Sequence, residues 1–305
     1  PWLDQPHVTM IQLNRLGRDK VIAMIRDVTG GKELPAEVFE PIMSKTDGIP
    51  LFVEELTKMV LESGLLQDAG DRYITVGPLP RLAVPTTLHD SLMARLDRLN
   101  AIKEIAQVGA AIGREFTYRL LAAVAPISGI ALQSALGQLT RAGLIFERGE
   151  PPDSTYTFKH ALLQEAAYAS LLRGRRQELH RNIADALEDQ FAALAETQPQ
   201  LMAHHLAQAG LTERAINYLR KAGQRANESS ANAEAIGHLK LALELLQSLS
   251  DGPEHKRKAL ELQVMLAQAM IAGRGYAAPE TREVLLQAKA LTDEYTEVSK
   301  TCAIL

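Results

Sequence analysis

Residues 144–158 read LIFERGEPPDSTYTF, and their interpretation decides what kind of fold the chain adopts. Leu144-Ile145-Phe146-Glu147-Arg148 and Thr155-Tyr156-Thr157-Phe158 are rich in β-branched and aromatic residues, which suit a pleated, half-buried surface. Between them, Gly149-Glu150-Pro151-Pro152-Asp153-Ser154 is built from residues that turn the chain and break helices. The pattern predicts a β-hairpin. Upstream, helical segments are expected at about 102–112, 116–124 and 130–142, the last with Leu132, Leu136 and Leu139 on one side. Three helices followed by a β-hairpin is the outline of a winged helix.

Toward the N-terminus the period is helical from Val8 to about Gly64. Val21, Ile22, Ile25 and Val28 form one apolar set, and Pro35 starts a segment carrying Val38, Phe39 and Ile42. In a third segment Leu51-Phe52, Leu56 and Met59-Val60 recur at three- and four-residue spacing, with Ser63-Gly64 as the stop. Residues 67–85 carry Gly70, Gly77, Pro78, Pro80 and Pro85, so a domain junction with one short strand at Tyr73-Ile74-Thr75-Val76 is expected there. After a Thr86 or Thr87 cap, Leu88, Leu92, Leu96 and Leu99 line one helix face.

From His160 onward the chain is helical again. Breaks fall at Thr197-Gln198-Pro199, Gly210, Ser229-Ser230, Asp251-Gly252-Pro253 and Gly273 to Pro279. Small and large apolar residues alternate along these helices, as at Ala215-Ile216, Leu219 and Ala222, a pattern that lets helical pairs stack into a solenoid. No strict 34-residue period holds, so the region is TPR-like. The expected fold is mainly α: a helical lid over 1–78, a winged-helix unit with one β-hairpin over 79–174, and TPR-like helical hairpins over 175–305.

Composition narrows the function classes. The chain has 305 residues, 46% hydrophobic, 23% charged and 5% aromatic, which suits several helical cores. A net charge of −4 gives no general pull toward nucleic acid or anionic lipid. The single cysteine, Cys302, excludes an internal disulfide and a thiolate metal cluster, so the cytoplasm is the expected compartment. No apolar run of about 18 residues and no leader pattern is found, so no membrane partner is expected. The chain begins at Pro1 and stops inside a helical pattern at Leu305, which makes a larger parent the expectation.

No complete catalytic constellation is present: there is no P-loop, no Gly-x-Ser-x-Gly, no His-Glu-x-x-His and no Cys-x-x-Cys. Catalytic and metal-ligating residues are therefore expected to be none. His204 and His205 are adjacent, so their side chains diverge by about 100° on a helix and cannot form the i, i+4 zinc pair. A DNA-binding role for the winged helix would need a basic recognition helix, and Ile130 to Ala142 offers only Arg141. A packing role between lid and repeats is preferred.

The stretch Thr46-Asp47-Gly48-Ile49-Pro50-Leu51-Phe52-Val53-Glu54-Glu55-Leu56 admits two readings. Pro50 has no N–H to lose at a first helical turn and holds Ile49 extended, while Gly48 allows a tight backbone approach, so a plain helix start accounts for it. Alternatively, the proline ring is a flat apolar surface for a purine. Gly48-Ile49-Pro50-Leu51 resembles the Gly-x-Pro-Leu motif in the helical lid of STAND-type signalling ATPases. That resemblance implies that Pro50 packs on adenine and that a winged helix follows the lid. Phe158-Lys159-His160-Ala161-Leu162 is similar to the Met-His-Asp-Leu element of the same proteins, which implies that His160 reads the ADP β-phosphate. Ala161 stands in place of the acidic residue, and a buried histidine bonded to backbone remains the alternative.

Further strings extend the resemblance: Pro85-Thr86-Thr87-Leu88-His89-Asp90-Ser91-Leu92-Met93-Ala94-Arg95-Leu96-Asp97, Gly113-Arg114-Glu115-Phe116 and Ala203-His204-His205. In this order they resemble the C-terminal regulatory half of bacterial class III adenylate/guanylate cyclases that carry an AAA-type ATPase and TPR repeats. The resemblance implies ATP or ADP as cofactor only together with an upstream ATPase core, with Gly48, Pro50 and His160 as binding residues and no cofactor for the isolated fragment. It implies upstream ATPase and cyclase domains as intramolecular partners and a protein or small-molecule signal on the array. The rival readings are a fragment of a STAND-type transcriptional activator and a pure interaction scaffold.

Overall fold

A computed structural model describes residues 14–76, 88–98, 102–250 and 252–302. The protein is mainly helical. In chain order the elements are α1 (Arg18–Val28), α2 (Ala36–Thr46), α3 (Pro50–Glu62), β1 (Leu66–Asp68), β2 (Tyr73–Thr75), α4 (Leu88–Asp97), α5 (Lys103–Ile112), β3 (Glu115–Thr117), α6 (Tyr118–Val124), α7 (Gly129–Arg141), β4 (Ile145–Arg148) and β5 (Thr155–Phe158). Then follow α8 (Ala161–Ala169), α9 (Arg173–Gln190), α10 (Ala192–Thr197), α11 (Pro199–Gln208), α12 (Thr212–Glu228), α13 (Asn232–Gln247), α14 (Pro253–Arg274) and α15 (Pro279–Cys302). The expected Thr86 or Thr87 cap and the boundary at 78/79 lie outside the described residues. Among the described residues no single helix is long and apolar enough to cross a membrane.

The chain divides into two compact units, one built from the chain up to Ala106 with Phe158–Ser170, the other from Gln107–Thr157 with the chain from Leu171 onward. In the first unit α1, α2 and α3 share a core of Val21, Ile25, Val38, Ile42, Phe52, Val53, Leu56, Met59 and Val60. These are the positions that helical spacing selects, because burying one apolar stripe per helix is what holds short helices together. Pro35 caps α2, Pro50 opens α3, and α3 ends at Ser63 with Gly64 at φ 73°. The junction region is more structured than its composition suggests. Tyr73–Thr75 is the expected strand, and it pairs antiparallel with Leu66–Asp68, while an ion pair joins Lys32 to Asp68.

In the second unit β3, β5 and β4 form one sheet in that order. The hairpin strands β4 and β5 lie within a residue of where they are expected. Strand β3 is an addition at the start of the segment read as helix 116–124, and it pairs Glu115 with Thr157, Phe116 with Tyr156 and Thr117 with Thr155. Phe116 and Tyr156 stack with ring centroids 5.7 Å apart. The Tyr156 hydroxyl donates to Glu147 at 2.6 Å, and burial together with that carboxylate pushes the phenol up to about 12. Helix α7 exposes Ile130 and carries Arg141 as its one basic residue.

Helices α11 to α15 pack each on the next around Ile216, Leu219, Leu239, Leu262, Leu266 and Met270. Gly223 lets α12 approach α13 closely, since a Cβ there would stand 2.6 Å from Leu239 Cγ. The breaks at Thr197-Gln198-Pro199, Gly210 and Ser229-Ser230 fall between helices as expected. A further break separates α9 from α10 at Phe191, whose φ −128° and ψ 37° leave the helical region without a glycine or proline to announce it.

Candidate functional site

The turn before α3 is set by two successive left-handed residues, Asp47 at φ 47° and Gly48 at φ 68°. They reverse the chain so that the Ile49 N–H donates to the Thr46 carbonyl at 2.9 Å. Gly48 is pressed against the Leu16 backbone: its carbonyl accepts from the Leu16 N–H at 2.8 Å, and a Cβ would meet the Leu16 oxygen at 2.3 Å. Only glycine fits this position. Ile49 is extended at φ −77° and ψ 113°, so Pro50 enters at the first helical position, where its missing N–H removes no hydrogen bond. Both Ile49 and Pro50 are exposed.

One turn further along α3, charge is concentrated. Glu54 accepts from Lys58 at 2.5 Å and from Lys159 at 2.6 Å. Burial by itself raises the Glu54 carboxyl, but the hydrogen bonds from Lys159 and Lys58 outweigh it and hold the group at about 2. Glu55 lies inside the core face of α3 with 1% of its side chain exposed, and it pairs with Arg95 of α4, which is 5% exposed. Arg95 also lies 3.9 Å from Glu62, and Arg98 donates to the Met59 carbonyl at 3.3 Å. The packing of α4 and α8 completes this side of the unit.

His160 occupies the N-cap position of α8 at φ −131° and ψ 141°, and its carbonyl accepts from the Leu163 N–H at 3.0 Å. Its Nε2 is buried and has no hydrogen-bond partner among the described residues. Burial lowers its pKa, against the opposing pull of Glu54, and so favours the neutral ring. One ligand atom from each of Glu54, Glu55 and His160 lies within 4.8 Å of the others. The set is a poor metal cage, because Lys58, Lys159 and Arg95 already neutralise both carboxylates.

Of the expected residues, Gly48 and Pro50 form the start of α3, and His160 lies against the same helix through Glu54 and Glu55. Sequence reasoning missed Glu54, Glu55, Lys159 and Arg95. One signal was available: position 55 falls in phase with Phe52, Leu56 and Met59 on the inward stripe, so a glutamate there must find a buried partner. In the other unit, a polar cavity of about 450 Å³ is lined by Glu188, Glu196, Tyr218, Lys221, Arg225 and Glu228, among others.

Glu54 makes stability pH-dependent. Its folded value lies below the ordinary 4.5, so its contribution is complete above pH 4.5 and is lost as the pH falls from 4.5 toward 2. Glu54→Gln is expected to remove on the order of 2 kcal/mol at pH 7 and almost nothing near pH 2. Urea midpoints of both proteins across that range measure the difference, and parallel curves for the two proteins would contradict it.

No protein-family profile matches the chain. It is 27% identical over 292 residues to an uncharacterized protein of Rhizobium meliloti (strain 1021), a match that takes in 93% of this chain and 27% of that protein. The chain thus spans about a quarter of the length of the curated relative that it matches.

Proposed function

We propose that the chain is a regulatory portion of a larger nucleotide-responsive signalling protein, and that its first unit contributes one wall of a nucleotide pocket. On this reading Pro50 offers its ring to adenine, His160 donates from Nε2 to a phosphate oxygen, and an ATPase core elsewhere in the parent supplies the remaining wall. The observation that carries the reading is the His160 imidazole, neutral, with a buried and unpartnered Nε2 at the N-cap of a nine-residue helix. Such a group has a hydrogen bond to give, at a helix end that favours anions. The resemblance to the regulatory half of bacterial adenylate/guanylate cyclases would make the rest a winged helix followed by a TPR-like array. On that view the array takes a protein or small-molecule signal, and the polar cavity lined by Glu188, Tyr218 and Arg225 is a suitable place for it. Coupling then runs through nucleotide state to a cyclase domain.

The scaffold reading has its own support, since the Leu16 contact explains Gly48 and helix geometry explains Pro50 without any ligand. ADP binding by the parent protein separates the two. His160→Ala should weaken it by about 10-fold to 100-fold, the loss of one hydrogen bond to a charged group. Unchanged affinity would leave the scaffold. Cyclic-nucleotide production by the parent, with and without residues 1–305, then tests the cyclase output, and a lack of product from both would turn attention to the transcriptional-activator reading.

A further inference from the structure

In the second unit α9 packs on α11, and three imidazoles converge there. His180 of α9 and His205 of α11 are fully buried at 0% exposure, and His204 reaches the surface. Adjacent His204 and His205 are not the i, i+4 pair of helical zinc sites, yet their rings approach one another, and His180 from the neighbouring helix supplies the third corner of a triangle. Ring centroids are 5.1 Å apart for His180 and His205, 5.6 Å for His180 and His204, and 5.3 Å for His204 and His205. Three imidazoles that each bind a tetrahedral ion through one nitrogen, at about 2.0–2.1 Å, hold their centroids roughly 5 Å apart. One ring nitrogen from each of the three lies within 4.8 Å of the others.

The hydrogen bonding around these rings points the same way. The Nδ1 atoms of His180 and His205 are 2.8 Å apart, so one ring donates to the other, and a small separation of the two would let both nitrogens face one ion. The buried Nε2 of His205 has no partner among the described residues.

We propose that His180, His204 and His205 form a binding site for a divalent transition-metal ion, with Zn²⁺ the best match, that clamps α9 to α11. Three neutral nitrogen donors suit a borderline ion and not Ca²⁺ or Mg²⁺, which take oxygen ligands. Because His204 is exposed, a water molecule can complete the coordination. Binding would break the hydrogen bond between the two Nδ1 atoms, with the bridging proton moving to the other nitrogen of its own ring so that both rings stay neutral, and would lock two helices of the array together.

Zn²⁺ titration of the 305-residue chain against a chromophoric chelator tests this. One equivalent is expected to bind and to raise the melting temperature relative to chelator-treated protein. His204→Ala, at an exposed position, should keep the metal-free melting curve and weaken Zn²⁺ by more than the 10–100-fold that loss of an outer-shell partner costs. His160→Ala, in the other unit, should change nothing, which keeps this test independent of the nucleotide reading. Binding of less than one equivalent, or affinity unaltered in His204→Ala, would overturn the proposal and leave a packing cluster held by the His180–His205 hydrogen bond.

Discussion

Gly48→Ala is expected to destabilise the first unit by about 3 kcal/mol or more. Two effects add. A non-glycine residue at φ 68° costs about 1–2 kcal/mol through its own Cβ contacts. The new methyl also stands 2.3 Å from the Leu16 oxygen, and Leu16 cannot retreat without stretching its 2.8 Å bond to the Gly48 carbonyl. Gly64→Ala is the control, because Gly64 has a similar φ of 73° with nothing within 4 Å of a Cβ. It should cost only the conformational part, about 1 kcal/mol. Urea unfolding of both variants separates conformation from clash, and equal midpoints would refute the steric argument. A loosened Gly48 also shifts the start of α3, so Pro50 is misplaced and any nucleotide contact that it makes weakens with stability.

Replacing either partner of the Glu55–Arg95 pair should be the next largest loss. Both side chains are almost fully buried; Glu55 accepts from Arg95 through Oε2, and its Oε1 has no hydrogen-bond partner among the described residues. Arg95→Ala then leaves a carboxylate buried without its cation, for which about 3–5 kcal/mol is expected. Glu55→Leu should cost less, because Arg95 keeps Glu62 at 3.9 Å as a second carboxylate. The double variant Glu55→Leu with Arg95→Met should recover most of the loss, because two well-packed apolar side chains need no compensation. Strict additivity of the two single losses in that cycle would show that the pair contributes nothing as a pair. Leu92 and Leu96 of α4 are buried at 1% exposure, so the pair is set among apolar side chains.

Much of the helical architecture is visible before any coordinates. The stripe of Phe52, Leu56, Met59 and Val60 and the stops at Ser63-Gly64, Gly210 and Ser229-Ser230 follow from local spacing and turn chemistry. The hairpin at 145–158 is equally plain, because β5 is Thr-Tyr-Thr-Phe throughout, β4 opens on Ile145-Phe146, and a Gly/Pro-rich turn separates them. The three-residue strands β1 and β3 are not. Three residues are too few to show alternation, and β3 exists only because Glu115–Thr117 pairs with Thr155–Thr157 some forty positions later. The break at Phe191 is missed for a related reason, since it carries no punctuating residue.

The candidate site divides in the same way. Asp47-Gly48-Ile49-Pro50 is a matter of neighbouring φ and ψ preferences, so its geometry stands in the sequence. The charge on Glu55 was readable as a conflict with its helical phase, but not its resolution. Glu54 meets Lys159 across 105 residues, Glu55 meets Arg95 across 40, and His180 meets His205 across 25. Sequence by itself determined where helices start, where they stop and which stripe each one buries, because those depend on residues within one or two turns of each other. Which helix covers which stripe was decided only by the tertiary structure: burial rewards any apolar contact, and the particular pairing comes from the fit of whole helix faces that no local pattern encodes.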